Sequence, residues 1–191
     1  MRPHQRVVVA GGIGSGKSTV IAALSRLGWS VMNADEVGRD VLTAPEVIEA
    51  VAARWPAAVT AGAVNRSALA DVVFGDPNEL AALEGITHPL IAGRIEMWVE
   101  TSVEPLAVEI SVLKVADARW GPLVIVNAPE PVRRERALER GMKPADVEAR
   151  MASQPSDSEL LAAAYVVIDN QGTAEDLVES VRRFDQWARS K

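Results

Sequence analysis

The chain has 191 residues, of which 48% are hydrophobic and 24% are charged, a composition typical of a globular protein with one well-packed domain. It contains no cysteine, which excludes disulfides and thiolate metal sites and fits a reducing compartment. The net charge of −6 argues against broad nucleic-acid binding, and two histidines cannot form a histidine-rich metal site. No apolar run reaches the roughly 18–20 residues of a membrane span. We therefore expect a cytoplasmic protein with neither a membrane nor a nucleic-acid partner.

A glycine-rich segment follows the apolar run Arg6–Ala10, which predicts the first strand. This segment reads Gly11-Gly12-Ile13-Gly14-Ser15-Gly16-Lys17-Ser18-Thr19. Its spacing satisfies G-x-x-x-x-G-K-[ST], a pattern whose main-chain N–H groups cradle the phosphates of a nucleotide. Lys17 is expected to reach the β- and γ-phosphates, and the Ser18 hydroxyl is expected to bind Mg²⁺. A glycine-rich turn without a ligand explains the glycines but not the lysine and serine, so the segment predicts binding of a nucleoside triphosphate.

An acid follows the second predicted strand. Residues 19–27 show helical spacing of apolar side chains, and Trp29–Met32 predicts a short strand that leads into Asn33-Ala34-Asp35. The carboxyl ends of the strands form the edge of an open α/β sheet where ligands bind. Asp35 is therefore either a catalytic carboxylate or a strand-end group that caps the next helix, and its position favours catalysis.

The stretch from residue 36 to 101 has a helical pattern nearly throughout, with turn signals near residues 43–45, 60–62 and 75–77. It is longer than a crossover between two strands requires, so we interpret it as a helical insertion that covers the cleft. Thr87-His88-Pro89 is expected to open its last long helix. His88 is either a helix-start residue bonded to nearby backbone or a ligand contact, and the sequence slightly favours the first.

Three further strands are predicted over Pro105–Ile110, Pro122–Asn127 and Ala164–Ile168, each apolar enough for a buried parallel sheet. Glu109 near the end of one of them either holds a metal-bound water or faces solvent, and both interpretations stay open. After the last strand, Asn170 and Gly172 either lie beside a purine or belong to an ordinary turn. An amphipathic helix over residues 174–188 completes the chain.

Two charged helices are predicted over Glu130–Gly141 and Pro144–Ser153. Their alternating charges at three- and four-residue spacing are typical of a solvated helix face with weak ion pairs. Because a phosphate-binding segment is present, we favour a mobile lid over residues 133–161, with Arg136 and Arg140 reaching the triphosphate. The result is a single domain with a core over 5–35, 102–132 and 162–190, the insertion over 36–101, and this lid.

Several short motifs occur in a fixed order. They are Gly11 to Thr19, Ala34-Asp35 with Arg39 and Val41, His88-Pro89-Leu90-Ile91, then Arg136, Arg140, Arg150 and Gln154, and finally Val167-Ile168-Asp169-Asn170 with Gly172. With these motifs the chain resembles the bacterial dephospho-CoA kinases over nearly its whole length. The resemblance implies an α/β three-layer P-loop kinase fold with a five-stranded parallel sheet, a helical acceptor-binding insertion and a small helical lid.

The resemblance also implies a reaction, in which the γ-phosphoryl group of ATP moves to the ribose 3′-hydroxyl of dephospho-CoA and gives CoA and ADP. Asp35 would accept the hydroxyl proton, with Lys17 and Arg140 assisting the transfer. The acceptor-binding residues would be Asp35, Arg39, His88 and Glu109. The residues that bind ATP would be Gly12, Ile13, Gly14, Ser15, Gly16, Lys17, Ser18, Thr19, Arg136, Arg140, Asn170 and Gly172, and Ser18 would bind Mg²⁺. A monomer or a weak homo-oligomer is expected.

The chain departs from the family pattern at several positions. Ser111-Val112-Leu113-Lys114-Val115 replaces the usual Pro-Leu-Leu-x-Glu, and Asn33 replaces the first aspartate of Asp-x-Asp. Asp157 and Leu160 stand where arginine is common, and Tyr165 replaces the aspartate of an Ala-Asp pair. Two alternatives therefore stay open: a kinase for another small hydroxyl compound, and an ATP-binding relative without transfer activity.

Overall fold

A computed structural model describes residues 5–113 and 116–190, and these residues form two compact units. The helical unit is Ala34–Trp98, and the sheet unit comprises the described residues up to Asn33 and from Val99 onward. Along the chain the elements are β1 (Arg6–Ala10), α1 (Lys17–Arg26), β2 (Ser30–Asn33), α2 (Ala34–Val41), α3 (Pro45–Arg54), β3 (Val59–Thr60), β4 (Ala63–Val64), α4 (Arg66–Val73), α5 (Pro77–Thr101), β5 (Leu106–Glu109), β6 (Leu123–Asn127), α6 (Glu130–Glu139), α7 (Pro144–Ser153), α8 (Asp157–Ala163), β7 (Val166–Asp169) and α9 (Ala174–Ser190), with 3₁₀ turns at Pro56–Ala58 and Ala118–Trp120.

The sheet unit is built on a five-stranded sheet in the order β2-β5-β1-β6-β7. Every pairing in it is parallel, which confirms the predicted sheet. The register sets Asn33 of β2 and Val9 of β1 opposite Glu109 of β5, and it sets Asn127 of β6 opposite Asp169 of β7. Because all strands run the same way, their carboxyl ends and the polar residues that follow them meet at one edge of the sheet.

The sheet is buried on both faces. Val7 and Val9 of β1 pack in one cluster with Leu24 of α1 and with apolar residues of α9, including Val181 and Phe184. The alternate strand residues, Val8, Val108 and Ile125, are also buried, so the other face of the sheet is covered as well. The predicted three-layer α/β fold is therefore present. Among the helices of the described residues, none combines the length and apolarity that crossing a membrane requires.

The structure differs from the sequence prediction in three local features. A short antiparallel hairpin of β3 and β4 stands where only a turn near residues 60–62 was expected. A separate helix, α8, begins after Ser156, whose hydroxyl and Glu159 form a capping box. The last long helix of the insertion begins at Pro77, and Pro89 lies inside it. The expectation that Thr87-His88-Pro89 opens that helix is therefore wrong. It relied on the preference of proline for the first turn of a helix, which Pro89 does not follow here.

A polar cluster at Glu79 in α5 links two helices of the helical unit. The Arg54 guanidinium donates Nε–H and Nη2–H to the Glu79 carboxylate over 2.8 and 2.9 Å, and the Trp55 indole N–H donates to Glu79 Oε2 over 2.7 Å. The hydrogen bond from Arg54, followed by that from Trp55, holds the pKa of Glu79 below its usual range. The cluster therefore joins the end of α3 to the start of α5.

This cluster predicts a pH-dependent stability. A carboxyl with a lowered pKa in the folded state stabilises the protein above its unfolded pKa, and the contribution is lost as the pH falls through the folded-state pKa. Glu79→Gln should therefore lower Tm at pH 7, and the gap to the parent protein should close as the pH falls below about 4. Thermal unfolding across pH measures both. Glu49→Gln, at an exposed position of α3, is the matched control, and a pH-independent gap for Glu79→Gln would contradict the account.

Candidate active site

The glycine-rich segment forms a tight loop between β1 and α1, and we call residues 11–18 the phosphate loop. Gly14 and Gly16 have φ values of 74° and 99°, in the left-handed region that favours glycine. Gly16 is the N-cap of α1, so the N-terminal end of this helix lies next to the loop. The first turn of α1 has no acidic residue, which leaves the positive end of its dipole uncompensated. This geometry is suited to binding an anion such as a phosphate.

Lys17 is held against the loop by its own main chain. Its ammonium group donates to the Gly11 carbonyl over 2.8 Å and to the Gly12 carbonyl over 3.2 Å. Lys17 is half-buried, and Ser18 and Thr19 after it are exposed. The Lys17 ammonium group therefore lies beside the loop. There its hydrogen bonds to carbonyl oxygens could be replaced by hydrogen bonds to phosphate oxygens.

Asn170, which follows β7, is buried against the other end of the phosphate loop. Its Nδ2 donates to the Ser15 carbonyl over 2.7 Å, and its main-chain N–H donates to the Asn127 carbonyl over 2.7 Å. Arg136 Nη1 in turn donates to the Asn170 carbonyl over 3.2 Å. A Cβ on Gly16 would lie 2.3 Å from Asn170 Nδ2, so the amide fills the space that a side chain would need. The Asn170 amide therefore holds the phosphate loop in place. That Asn170 and the exposed Gly172 contact a purine stays a prediction.

Two residues of the predicted lid also contact the phosphate loop. Gln154 Oε1 accepts a hydrogen bond from the Ile13 N–H over 2.8 Å. Arg133 is 7% exposed, and its Nη2 donates to Asp157 Oδ1 over 2.6 Å. The solvated-face interpretation of α6 is therefore wrong for Arg133. It holds for Arg134, which pairs with Glu130 and Glu148.

Arg133 could have been found from the sequence by its spacing. Arg133 and Ala137 are the buried residues of α6 and lie four positions apart, on one side of the helix. The many charges around them mask this short buried stripe. A count of charges along the helix does not say which single arginine points inward.

Glu109 is buried at the end of β5, with 8% of its surface exposed. Asn33 Nδ2, across the β2–β5 pairing, donates to Glu109 Oε2 over 3.0 Å. The alternative that Glu109 faces solvent is therefore wrong, because the carboxylate is enclosed at the sheet edge beside an amide partner. Ser111 and Leu113, from the segment that departs from the family pattern, line a small cavity with Gly12 and Gln154. Lys114 and Val115 of that segment lie outside the described residues.

The other predicted site residues, Asp35, Arg39, His88 and Arg140, lie on helices or at a helix end. Asp35 and Arg39 are exposed and four residues apart on α2, so they share one side of that helix in the helical unit. His88 of the same unit is half-buried inside α5, so its interpretation as a helix-start residue is wrong. Arg140 is exposed at the end of α6, in the sheet unit.

The fold and the loop together define a class of protein. A parallel α/β sheet with a G-x-x-x-x-G-K-S loop at its first strand–helix junction is the architecture of P-loop phosphate-binding proteins. Solved structures of kinases share this fold. Dephospho-CoA kinase from Campylobacter jejuni matches 95% of this chain and 96% of its own with a TM-score of 0.67 at 22% identity. Shikimate kinase from Acinetobacter baumannii, in complex with shikimate, matches 97% and 96% with a TM-score of 0.57 at 16% identity.

Sequence comparison narrows the class to one family. The family model for dephospho-CoA kinase matches residues 6–176. Dephospho-CoA kinases from Deinococcus radiodurans and Leifsonia xyli are each 37% identical, the first over 91% of this chain and 87% of its own length, the second over 96% and 98%. The crystal structure of TT1252 from Thermus thermophilus matches with a TM-score of 0.83 at 32% identity, over 95% of this chain and 96% of that one. The chain belongs to the dephospho-CoA kinase family and is a kinase.

The Asn170 contact predicts a measurable effect on both the fold and the loop. Asn170→Asp keeps the shape of the side chain but replaces the N–H₂ donor with an acceptor beside the Ser15 carbonyl. Loss of this buried hydrogen bond should lower the free energy of unfolding by about 1–3 kcal/mol. The added negative charge should also weaken ATP binding. Urea unfolding and calorimetric titration with ATP measure the two effects.

The neighbouring exposed residue supplies a control for this change. Gln171→Glu adds the same charge one position further along the turn, with no hydrogen bond to the phosphate loop. Because the exposed Gln171 amide loses only a 3.5 Å hydrogen bond to Asp169, this variant should lower the free energy of unfolding less than Asn170→Asp does. Equal losses of stability in both variants would contradict the role given to the Asn170 amide.

Proposed function

We propose that the protein transfers the γ-phosphoryl group of ATP to the ribose 3′-hydroxyl of dephospho-CoA and releases CoA and ADP. The observation that carries the proposal is the phosphate loop, with its helix terminus and Lys17, in a chain that belongs to the dephospho-CoA kinase family. The names of the relatives support dephospho-CoA as the acceptor. In the transfer, the bond between the γ-phosphorus and the β–γ bridging oxygen breaks as the 3′-oxygen bonds to phosphorus.

The phosphate loop would bind and orient the triphosphate. Its N–H groups and the start of α1 face the anion, and Lys17 would leave the Gly11 and Gly12 carbonyls for the β- and γ-phosphate oxygens. A phosphoryl transfer of this type needs positioning and charge neutralisation more than covalent help from the protein. Arg136, on α6, and Arg140, at its end, would add positive charge from the lid.

Asp35 is the proposed general base. Asp35 follows the last residue of β2 by two positions. The end of β2 lies at the same sheet edge as Glu109. The Asp35 carboxylate would accept the proton of the 3′-hydroxyl as the oxygen attacks phosphorus. Arg39 lies one helical turn further along α2 and His88 lies in α5, and we assign both, with Glu109, to acceptor binding.

The oxygen groups at the sheet edge fit Mg²⁺. The Ser18 hydroxyl is exposed at the second position of α1, and the Glu109 carboxylate lies buried at the end of β5. Mg²⁺ in kinase sites takes one or two protein oxygens and completes its shell with phosphate oxygens and water. Ser18 would bind the ion directly and Glu109 would hold a water of its shell. When bound, the ion supplies charge neutralisation for the phosphates.

The setting of the reaction follows from its substrates. We propose that the protein acts in the cytoplasm on small molecules, as a monomer or a weak homo-oligomer. The negative net charge supports small-molecule substrates over nucleic acid, because it disfavours broad binding to nucleic acid.

An ADP-release assay tests the proposed function. With saturating Mg-ATP, ADP should form only when dephospho-CoA is present, and CoA should appear in equal amount. A panel of nucleosides, sugars and pantetheine derivatives tests other acceptors, and they should give no comparable rate. ATP binding without CoA formation would contradict the proposal, as would faster use of another acceptor.

Asp35→Asn separates the proposed base from the binding groups. The variant keeps the size of the side chain but cannot accept the hydroxyl proton, so kcat should fall roughly 10²-fold or more, with little change in the KM for ATP. Steady-state kinetics measure both constants. Asp40→Asn, an exposed acid on the same helix, is the control and should keep the parent kcat. Parent-like turnover by Asp35→Asn would contradict the assignment.

A further inference from the structure

Arg133 is a buried cation in contact with the phosphate loop that the proposed chemistry does not use. Its Nε–H donates to the Ala128 carbonyl over 2.9 Å, and its Nη2–H donates to Asp157 over 2.6 Å. The Arg133 side chain is 9% exposed and that of Asp157 is 40% exposed. A guanidinium does not lose its proton in proteins, so its burial requires a fixed counter-charge, and Asp157 provides it.

The same arginine fills the space beside two glycines of the phosphate loop. A Cβ on Gly12 would lie 2.3 Å from Arg133 Nη1, and a Cβ on Gly14 would lie 2.1 Å from the Arg133 carbonyl oxygen. Both distances are far below a van der Waals contact. The guanidinium and the main chain of Arg133 therefore press directly on the turn that gives the loop its shape.

Asp157 is itself fixed by the start of α8. It is the first residue of that helix, and the capping box of Ser156 and Glu159 holds the turn around it. Gln154, three residues earlier, accepts the N–H of Ile13. One short segment, residues 154–157, thus contacts the phosphate loop directly through Gln154 and indirectly through Asp157 and Arg133.

We propose that Arg133 is a positioning residue for the phosphate loop, and that Asp157 holds it in place through their ion pair. The pair joins the first residue of α8 to a buried residue of α6, so it links the segment after α7 to the helix that lies against the phosphate loop. Without the carboxylate, the buried guanidinium must find another acceptor or water. The turn at Gly12 and Gly14 then loses the surface against which it packs. The inference rests on the proposed function only for the identity of the nucleotide.

Asp157→Asn tests the positioning role with little change in shape. In the protein without nucleotide, hydrogen exchange of the main-chain amides of residues 11–16 should become roughly tenfold faster, since the loop opens more easily. Calorimetric titration should show roughly tenfold weaker binding of ATP. The KM for ATP should rise more than kcat falls, and Asp157→Glu, which restores the charge, should recover most of the affinity.

Glu104→Gln is the matched control. It removes the carboxylate of another arginine pair, Arg6 Nε with Glu104 Oε1 at 2.6 Å, whose side chains are 20% and 22% exposed. It should lower Tm without changing exchange in residues 11–16 or ATP affinity. Equal effects of the two variants on exchange, or unchanged exchange in Asp157→Asn, would overturn the inference, because the pair would then act on global stability or not at all.

A double-mutant cycle with Arg133→Gln completes the test. If Asp157 acts through Arg133, Asp157→Asn should add little to the loss of ATP affinity once Arg133 is replaced. Additive losses would overturn the inference. A failure of the proposed function can be told apart from a failure of this inference. A parent protein that makes no CoA contradicts the proposed reaction. The exchange measurement on the phosphate loop needs neither ATP nor acceptor, so it still tests the role of the Arg133–Asp157 pair.

Discussion

The glycine-rich phosphate loop is held in its conformation by side chains from other parts of the chain, and the site depends on these contacts. Gly12, Gly14 and Gly16 allow the tight turn of the loop, but they offer no side chains with which to pack. The Asn170 amide lies over Gly16, Arg133 lies against Gly12 and Gly14, and Gln154 accepts the N–H of Ile13. The supporting side chains come from after β7, from α6 and from the end of α7. The geometry of the site is thus a property of the folded sheet unit rather than of the loop alone.

The parallel sheet supplies the rest of the polar environment. Parallel strands end at one edge, and the residues at those ends pair with each other: Asn33 with Glu109, and Asn127 with Asp169. These amide–carboxylate pairs satisfy polar groups beside a hydrophobic core that begins within two residues of them. Of the two acids, Glu109 is buried and Asp169 is exposed, so the Asn33 amide is the partner that makes a buried carboxylate at this edge compatible with a stable fold.

Helix α6, which follows β6, has one side that faces solvent and one side that is buried. One side of α6 carries Arg134, which pairs with exposed acids, and the other carries Arg133 and Ala137, which are buried. Arg136 contacts the Asn170 carbonyl, and Arg140 is exposed at the helix end. A helix of this kind can support the phosphate loop from its buried side while its exposed side stays in solvent.

The sequence by itself determined the parallel sheet, the phosphate-binding loop and the family, because these depend on local patterns: apolar runs, glycine and lysine spacing, and ordered motifs. It did not determine that Glu109 is enclosed or that Arg133 points inward, since both depend on partners distant in the chain. Nor did it determine that Pro89 lies inside α5 rather than in its first turn. Asp157 is 24 residues from Arg133, and Asn170 is 155 residues from Ser15. Only tertiary structure brings such residues together, because a charge pattern specifies which side chains can pair but not which face of a helix the core will cover.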